Sequence, residues 1–469
     1  MKTLKEMLKP RSSLKPDLLR LLQGKVGKDA VFAEIEDRIC YAYDGTKDKV
    51  IPDVVVKPVL TNQIAETLKI ANEYLIPVYP RGAGTGLSGG AVPIYGGIVL
   101  DLMKMNKIIE ILPGDLIATV EPGVITRDFQ NEAAKYKLFY PPDPSSAEFS
   151  TIGGNVAECA GGMTSLKYGV TRDYVLALEV VLPDGNIIQT GRKTLRSVTG
   201  YDLTRLLVGS EGTLGIFTKI TVRLIPLPEK VETLLAYFHT TEDASEAAGD
   251  IINHHILPRA LEFMDEASIN SVRKYKDVGM PPDVKALLLI DVDGNKDGIQ
   301  RQLSIVEESC KRNNAFQTII SRTSDERNNL WAVRRSLSPA LYSIAPVKLN
   351  EDFCVPRSKV TDLLQRIDKI KPDYPIDVVS FGHIGDGNIH VNLMYQQGQE
   401  QQELAHRMVL EIIHEVLDLG GTISGEHGIG SRKAEFMKLE VPPLELELMK
   451  GLKRLFDPKG IMNPGKIFI

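Results

Sequence analysis

An α+β protein in two parts is predicted by three features of this sequence. Its 469 residues allow roughly two to four domains with ample buried core. Between residues 76 and 225, β-rich runs alternate with glycine-rich turns. Beyond the two prolines of PLPEK (226–230) the pattern changes to helices alternating with strands. Composition points to an ordinary globular chain, with 43% hydrophobic and 25% charged residues. The formal net charge of -5 argues against nucleic-acid binding.

The elements follow in order. Residues 1–44 are charged and read as an extension, with a helix over 14–24 that ends at Gly24. From Thr61 to Leu75, Ile64, Leu68, Ala71 and Leu75 share one helical stripe, with Thr61 as cap. The short strand IPVYP follows, then RGAGTGLSGG, then the extended runs GGIVLDL, LIATVEPG, LALEVVLPDGNIIQT and GIFTKITVRLIP. Past PLPEK, helices over 242–253, 297–312 and 401–419 alternate with strands over 284–291 and 376–383. That order predicts helices packed on an antiparallel sheet. The final LFDPKGIMNPGKIFI has turn residues spaced through it and is expected to lie across a surface.

The chain starts MKTLKEMLKP, without the apolar core of a signal peptide, and its densest short apolar run is ALLLI at 286–290. A soluble, cytoplasmic protein without a membrane span is expected. Cys40, Cys159, Cys310 and Cys354 form no CxxC pair. They are too sparse for a disulfide framework and wrongly spaced for structural zinc or an iron–sulfur cluster, so reduced thiols are expected.

Gly84-Thr85-Gly86-Leu87-Ser88-Gly89 matches GxGxxG. A nicotinamide-type turn needs a helix to begin at these glycines, and Pro93, Gly96 and Gly97 forbid one. Successive glycine amides still form a nest for a diphosphate. Taken alone, the loop is equally a turn without a ligand. PPDPSS (141–146), STIGGNVAECAGG (150–162) and GSEGTLGI (209–216) are also dense in Gly, Ser, Thr and Pro. A large polar cofactor lying against backbone accounts for all four segments together.

Residues 376–395, IDVVSFGHIGDGNIHVNLMY, hold a second signal. Asp386-Gly387 is a strong two-residue hairpin turn. Counting outward sets Gly385 opposite Asn388, Ile384 opposite Ile389 and His383 opposite His390. Opposed Cβ atoms lie ~5 Å apart. Asn392 shares the histidine face, while Ile384 and Ile389 point the other way. Two adjacent imidazoles suit a divalent metal, and SGEHGIG (424–430) offers Glu426 as a carboxylate ligand. Three protein ligands leave room for substrate. Arg334 or Lys348, taken alone, reads as a solvated charge, and Trp331 as a packing residue.

RGAGTGLSGG, STIGGNVAECAGG with LKYGVTRDYVLALEVVLPDG, GSEGTLGI, GHIGDGNIH and SGEHGIG, in this order, resemble the FAD-linked D-2-hydroxy-acid dehydrogenases. That group includes D-lactate dehydrogenase, D-2-hydroxyglutarate dehydrogenase and the flavin subunit of glycolate oxidase, within the vanillyl-alcohol-oxidase-like flavoproteins. The resemblance spans about 50–469. It implies a two-subdomain FAD-binding domain of the vanillyl-alcohol-oxidase type plus an α+β cap domain with an antiparallel sheet. The expected boundaries are 1–44 for the extension, 45–228 for FAD, 229–430 for the cap with its metal site, and 431–469 returning to the FAD domain.

The resemblance also implies site residues. Arg81 through Gly90 would bind the pyrophosphate, with Gly82, Gly84, Thr85, Gly86 and Gly89 as amide donors and Ala83 and Leu87 between them. Ser150, Thr151, Gly153, Gly154, Asn155, Gly169 and Ile216 would line the isoalloxazine and ribityl, joined by Pro142, Asp143, Gly212 and Asn463. The loop contains neither His nor Cys, so the FAD is expected to be non-covalent. His383, His390 and Glu426 would bind Fe2+ or Zn2+, and His427 would be the base. Arg334, Lys348 and Asn392 would bind substrate, with Ser338 at a hydroxyl position. The implied reaction is oxidation of a D-2-hydroxy acid, D-lactate to pyruvate first. Glycolate, D-2-hydroxyglutarate and an oxygen-using oxidase are the alternatives. With no nicotinamide motif and no cluster cysteines, electrons would leave to electron-transferring flavoprotein or an iron–sulfur subunit.

Overall fold

The computed structural model describes residues 14–46, 48–276 and 279–468. The chain divides into two compact units. The first comprises residues through Ala160, Val170–Leu227 and the chain from Glu426 on; the second comprises Gly161–Gly169 and Pro228–Gly425.

The first unit carries a four-stranded sheet in the order Val31–Phe32, Val54–Val56, Ile98–Asp101, Val78–Arg81, the last three parallel. Val54–Val56 and Ile98–Asp101 are buried throughout, as parallel strands covered on both faces must be. The helix Thr61–Tyr74 buries Ile64, Leu68 and Ala71. Its cap is Leu60 rather than Thr61, because the Gln63 side-chain oxygen accepts the Val59 and Leu60 N–H groups at 2.7 and 3.2 Å. Leu75 leaves the stripe: the helix ends before it, at a left-handed φ of 55°.

Residues 14–44 are not an appendage. The helix Pro16–Val26 runs through Gly24 and stops at Gly27. It puts Leu18, Leu22 and Val26 into the same core as Ile64 and Leu68. Residues 1–13 of the expected extension lie outside the described residues. The C-terminal segment is likewise no surface strap. Ile461 and Met462 are core residues, and the Val78 N–H donates to the Ile461 carbonyl at 2.8 Å. Buried Asp457 closes that turn by accepting the Ile461 and Met462 N–H groups at 3.1 and 2.8 Å. A five-stranded antiparallel sheet completes the unit, in the order Ile108–Leu112, Ile117–Val120, Ile216–Arg223, Val175–Val181, Ile187–Gly191.

The second unit is built on a seven-stranded antiparallel sheet ordered Gln317–Ile320, Lys230–Phe238, Ala286–Gly294, Ala260–Met264, Asp377–His383, Asn388–Tyr395, Val347–Cys354. The helices Thr241–Asn253, Lys296–Arg312 and Gln399–Asp418 fall within two residues of their predicted bounds. This unit ends at Gly425 rather than 430. It also takes in 161–169, because Lys167 pairs with the wholly buried Asp293, to which Tyr168 donates at 2.7 Å. Among the described residues no helix is long and apolar enough to cross a membrane, and the four cysteines are unpaired.

Candidate active site

In the first unit, the glycine loop leaves strand Val78–Arg81 and reaches Ile98 without forming a helix, as Pro93, Gly96 and Gly97 require. Its carbonyls are claimed by protein: Gly86 by the Gly45 N–H at 2.9 Å, Ser88 by the Ser431 N–H at 3.0 Å, Gly89 by Lys466 Nζ at 2.6 Å and Gly90 by Asn463 Nδ2 at 3.1 Å. Among the described residues, the backbone N–H groups from Gly82 to Gly90 donate to no protein atom. A segment whose N–H donors stay open while protein engages four of its carbonyls is suited to an anion. Arg81 is part of the frame: its Nη1 donates to the Tyr43 carbonyl at 2.6 Å, and a Cβ on Gly84 (φ +71°) would fall on its Nη2.

Among the other expected cofactor residues, Thr151, Gly212 and Asn463 touch this loop or the strand before it, and the rest are held by polar contacts of their own. Thr151 caps the helix Ile152–Glu158 by accepting the Gly154 N–H at 3.1 Å, and a Cβ on Gly82 would strike its Oγ1. Asn155 Nδ2 donates to Thr126 Oγ1 at 2.8 Å, and Thr126 meets Ser150 Oγ at 3.0 Å. Gly153 donates to the Pro122 carbonyl at 2.8 Å and has no room for a Cβ there; Gly212 is pressed likewise onto Pro80. The Pro142 carbonyl and the Asp143 carboxylate are held by Gln130 and Arg127, at 2.9 and 3.1 Å. Two expectations differ. Gly169 belongs to the segment that packs with the second unit, and Ile216 sits in the hydrophobic core, 1% exposed.

Two glutamates beside the loop escaped the sequence reading. Glu211 accepts the Ile429 and Gly430 N–H groups at 2.8 and 2.6 Å, which anchors the segment that follows His427. Glu158 lies by Gly90 and Gly428. Burial, reinforced by Glu211, pushes its carboxyl well above the usual range. Burial also pushes the Lys466 ammonium down to about 8. Ser88 Oγ, Glu158 Oε2 and Asn463 Oδ1 are buried without protein partners. Open amides and orphaned polar atoms around one loop fit a dinucleotide.

In the second unit the hairpin register differs from the expected one by two residues. His383 stands opposite Asn388, and His390 opposite Phe381. The connection is four residues, Ile384–Gly387, closed by the Asp386 N–H donating to the His383 carbonyl at 3.3 Å. Gly387 (φ +90°) passes its own carbonyl to the Val355 N–H at 3.1 Å. An even slip keeps every side chain on its face. The two imidazoles are therefore still neighbours, with ring centroids 5.3 Å apart at 83°, and both are buried. The Asn392 side chain donates to the Val379 carbonyl at 3.3 Å, and its Oδ1 is buried without a protein partner.

Asp352, on the edge strand, stands across from His390, and its carbonyl accepts the Gly425 N–H at 3.1 Å. Glu426 and His427 are the next two residues of the chain and open the last segment of the first unit. Lys348 lies two residues along the strand from Asn350, which faces Asn392, and its Nζ donates to Ser338 Oγ at 2.9 Å. Arg334 is no solvated charge. It is 8% exposed, lies 4.8 Å over the Phe381 ring, and donates from Nε to Glu262 Oε2 at 2.8 Å. Trp331 packs in the core, with Nε1 donating to Asp291 at 2.9 Å.

Glu262 was also missed, although one carboxylate in the apolar strand ALEFM is an anomaly. Its Oε1 lies 2.5 Å from His383 Nδ1. Burial pushes its pKa up, but His383 and Arg334 outweigh that and hold it at about 2. Paired buried imidazoles, one backed by a carboxylate, fit a divalent cation.

Two family models match the chain: an FAD binding domain over residues 52–191, and the C-terminal domain of FAD linked oxidases over 227–467. The glycolate oxidase subunit GlcD of Bacillus subtilis (strain 168) is 44% identical over 92% of this chain and 92% of its own. A D-lactate dehydrogenase of Archaeoglobus fulgidus is 38% identical, covering 91% and 95%. A D-2-hydroxyglutarate dehydrogenase of Stutzerimonas stutzeri (strain A1501) is 31% identical, covering 97% and 99%. Among solved structures, p-cresol methylhydroxylase with substrate bound superposes with a TM-score of 0.81 at 19% identity, over 98% of each chain. The 4-ethylphenol oxidase of Gulosibacter chungangensis gives 0.78 at 18% identity, over 98% and 99%. The fold is thus of the vanillyl-alcohol-oxidase type, and the protein is a flavin-dependent oxidoreductase. It belongs to the FAD-linked oxidase family, among the FAD-dependent dehydrogenases of 2-hydroxy acids.

Proposed function

We propose that this protein oxidises a small D-2-hydroxy acid, D-lactate in the first place, to its 2-keto acid. Fe2+ or Zn2+ would be held by His383, His390 and Glu426, and FAD non-covalently by the 81–90 loop and its neighbours. The carrying observation is the pair of buried imidazoles at 5.3 Å on one sheet, with the buried guanidinium of Arg334, carried on the helix Ser324–Arg335, joined to His383 through Glu262. Bound FAD would accept the Cα hydride, and a bound divalent cation would polarise the substrate hydroxyl.

The chain's own groups do the rest. Arg334 and Lys348 supply positive charge for the substrate carboxylate, and Arg334 does so screened from water, where charge acts over a lower dielectric. Asn392 and Ser338 offer further polar contacts to substrate. His427 takes the hydroxyl proton as general base. Electrons leave to a partner carrier, electron-transferring flavoprotein or an iron–sulfur subunit, because the sequence carries no cluster-type cysteine set. A second reading, glycolate, is favoured by the 44% identity to a glycolate oxidase subunit.

Anaerobic mixing with D-lactate, L-lactate, glycolate and D-2-hydroxyglutarate, watching the yellow flavin band bleach, tests this directly. D-lactate should bleach it and L-lactate should not. Faster bleaching by glycolate would select the second reading, and no bleaching by any of the four would end both. Flavin released by acid precipitation supports non-covalent binding; flavin retained on the denatured chain contradicts it.

A further inference from the structure

We propose that Glu262 is a positioning residue that ties the metal ligand His383 to the substrate-binding Arg334, so that metal retention and carboxylate recognition depend on one buried side chain. The inference rests on the functional reading above and adds a residue to it.

Each carboxylate oxygen is committed to a different partner: Oε1 meets His383 Nδ1 at 2.5 Å, and Oε2 meets Arg334 Nε at 2.8 Å. Glu262 is completely buried, so it persists as an anion only with such partners. A carboxylate is only an acceptor, so His383 must carry its proton on Nδ1. That leaves the Nε2 lone pair as the ring's metal-binding donor.

On the other side, Arg334 spends its Nε–H on Glu262. Among the described residues its two Nη groups meet no protein acceptor, so they are available to a substrate carboxylate. Phe381 completes the arrangement. Its ring lies 4.8 Å beneath the guanidinium, and its centroid is 5.6 Å from that of His390. The carboxylate therefore fixes a tautomer and a fork at once. Withdrawing it from one partner shifts the other.

The test uses the FAD-loaded full chain as wild type, E262Q and E262D. Chelator competition reads metal affinity, and flavin content and melting temperature report the fold. Kinetics at saturating metal separate KM from kcat. E262Q should weaken metal binding by ~10–100-fold, the usual cost of losing such a partner. It should also raise KM for the 2-hydroxy acid even when metal is saturating, with kcat less affected. E262D keeps the charge but is one methylene short of spanning both partners, so it should lose affinity for the metal, the substrate or both. It carries the test if E262Q does not fold. A wild type that binds FAD but no divalent metal would overturn the functional reading itself. A wild type that binds metal, beside variants with unchanged metal affinity and KM, would overturn only the role of Glu262.

Discussion

Exchanging Gly84 and Gly86 for alanine, one at a time, separates a glycine the loop needs from one it merely contains. At Gly84 the backbone is left-handed (φ +71°), which costs an L-residue roughly 1–2 kcal/mol. The added Cβ would also fall on Arg81 Nη2. Arg81 is buried and donates to the Tyr43 carbonyl at 2.6 Å, so displacing it forfeits a charged hydrogen bond worth about 1.5–3 kcal/mol. The two terms give about 2.5–5 kcal/mol, or a melting temperature lower by roughly 2–5 °C at the ~1 °C per kcal/mol that an unfolding entropy of ~2.1 cal/mol/K per residue gives for 469 residues. A Cβ on Gly86 meets nothing within 4 Å. Gly86→Ala should therefore stay within about 0.5 kcal/mol of wild type. Differential scanning of the apo-protein reads the stability, and flavin fluorescence quenching reads FAD affinity, which should fall for Gly84→Ala. Equal melting temperatures and equal FAD affinities for the two variants would refute both the assigned loop geometry and its assignment to the cofactor.

Three further outcomes are expected. His427→Ala should keep its FAD but lose about 10²–10⁴-fold in turnover, as removal of a general base does; near-normal kcat would remove that role. Dialysis against a strong chelator should abolish turnover while flavin stays bound, and Fe2+ or Zn2+ should restore it; activity indifferent to chelation would exclude a metal on His383 and His390. In the apo-protein, burial and Glu211 raise the Glu158 carboxyl pKa above the usual 4.5, so its proton stabilises the fold fully below that pH and the benefit is lost as pH rises through the raised value. Glu158→Gln should flatten the fall in melting temperature over that rise, and an unchanged slope would show that Glu158 does not hold its proton.

Much of the fold was legible because it is written locally. The 3.6-residue stripe of Ile64, Leu68 and Ala71, and the glycines and proline that forbid a helix after residue 90, act within one or two turns of chain. The helices of the second unit were placed within two residues on the same ground. The two ends of the chain were misread for the opposite reason. Leu18, Leu22 and Val26 form a helical stripe whose partner lies far along the chain, and Ile461 looks like a stray apolar residue in turn-rich sequence; only distant partners make them core. Nothing near Ile461 in sequence announces that Val78 will take its carbonyl.

The candidate site divides along the same line, and the hairpin shows where local reasoning is robust. Asp386-Gly387 suggested a two-residue turn, and the chain uses four residues, so every opposed pair was misassigned. Yet the histidine face survived, because side chains alternate with period two and the error was even. A slip of one residue would have pointed one imidazole to the other face and dissolved the metal pair. Glu262 had no such protection. It meets His383 across 121 residues of sequence, and the strand that brings it there, ALEFM, shows a purely local reading only an apolar run with one charge in it. That charge was the available signal. A lone carboxylate in a central strand must either be neutralised or find a cation and a donor. The sequence had already supplied both, in Arg334 and a histidine awaiting an orienting partner.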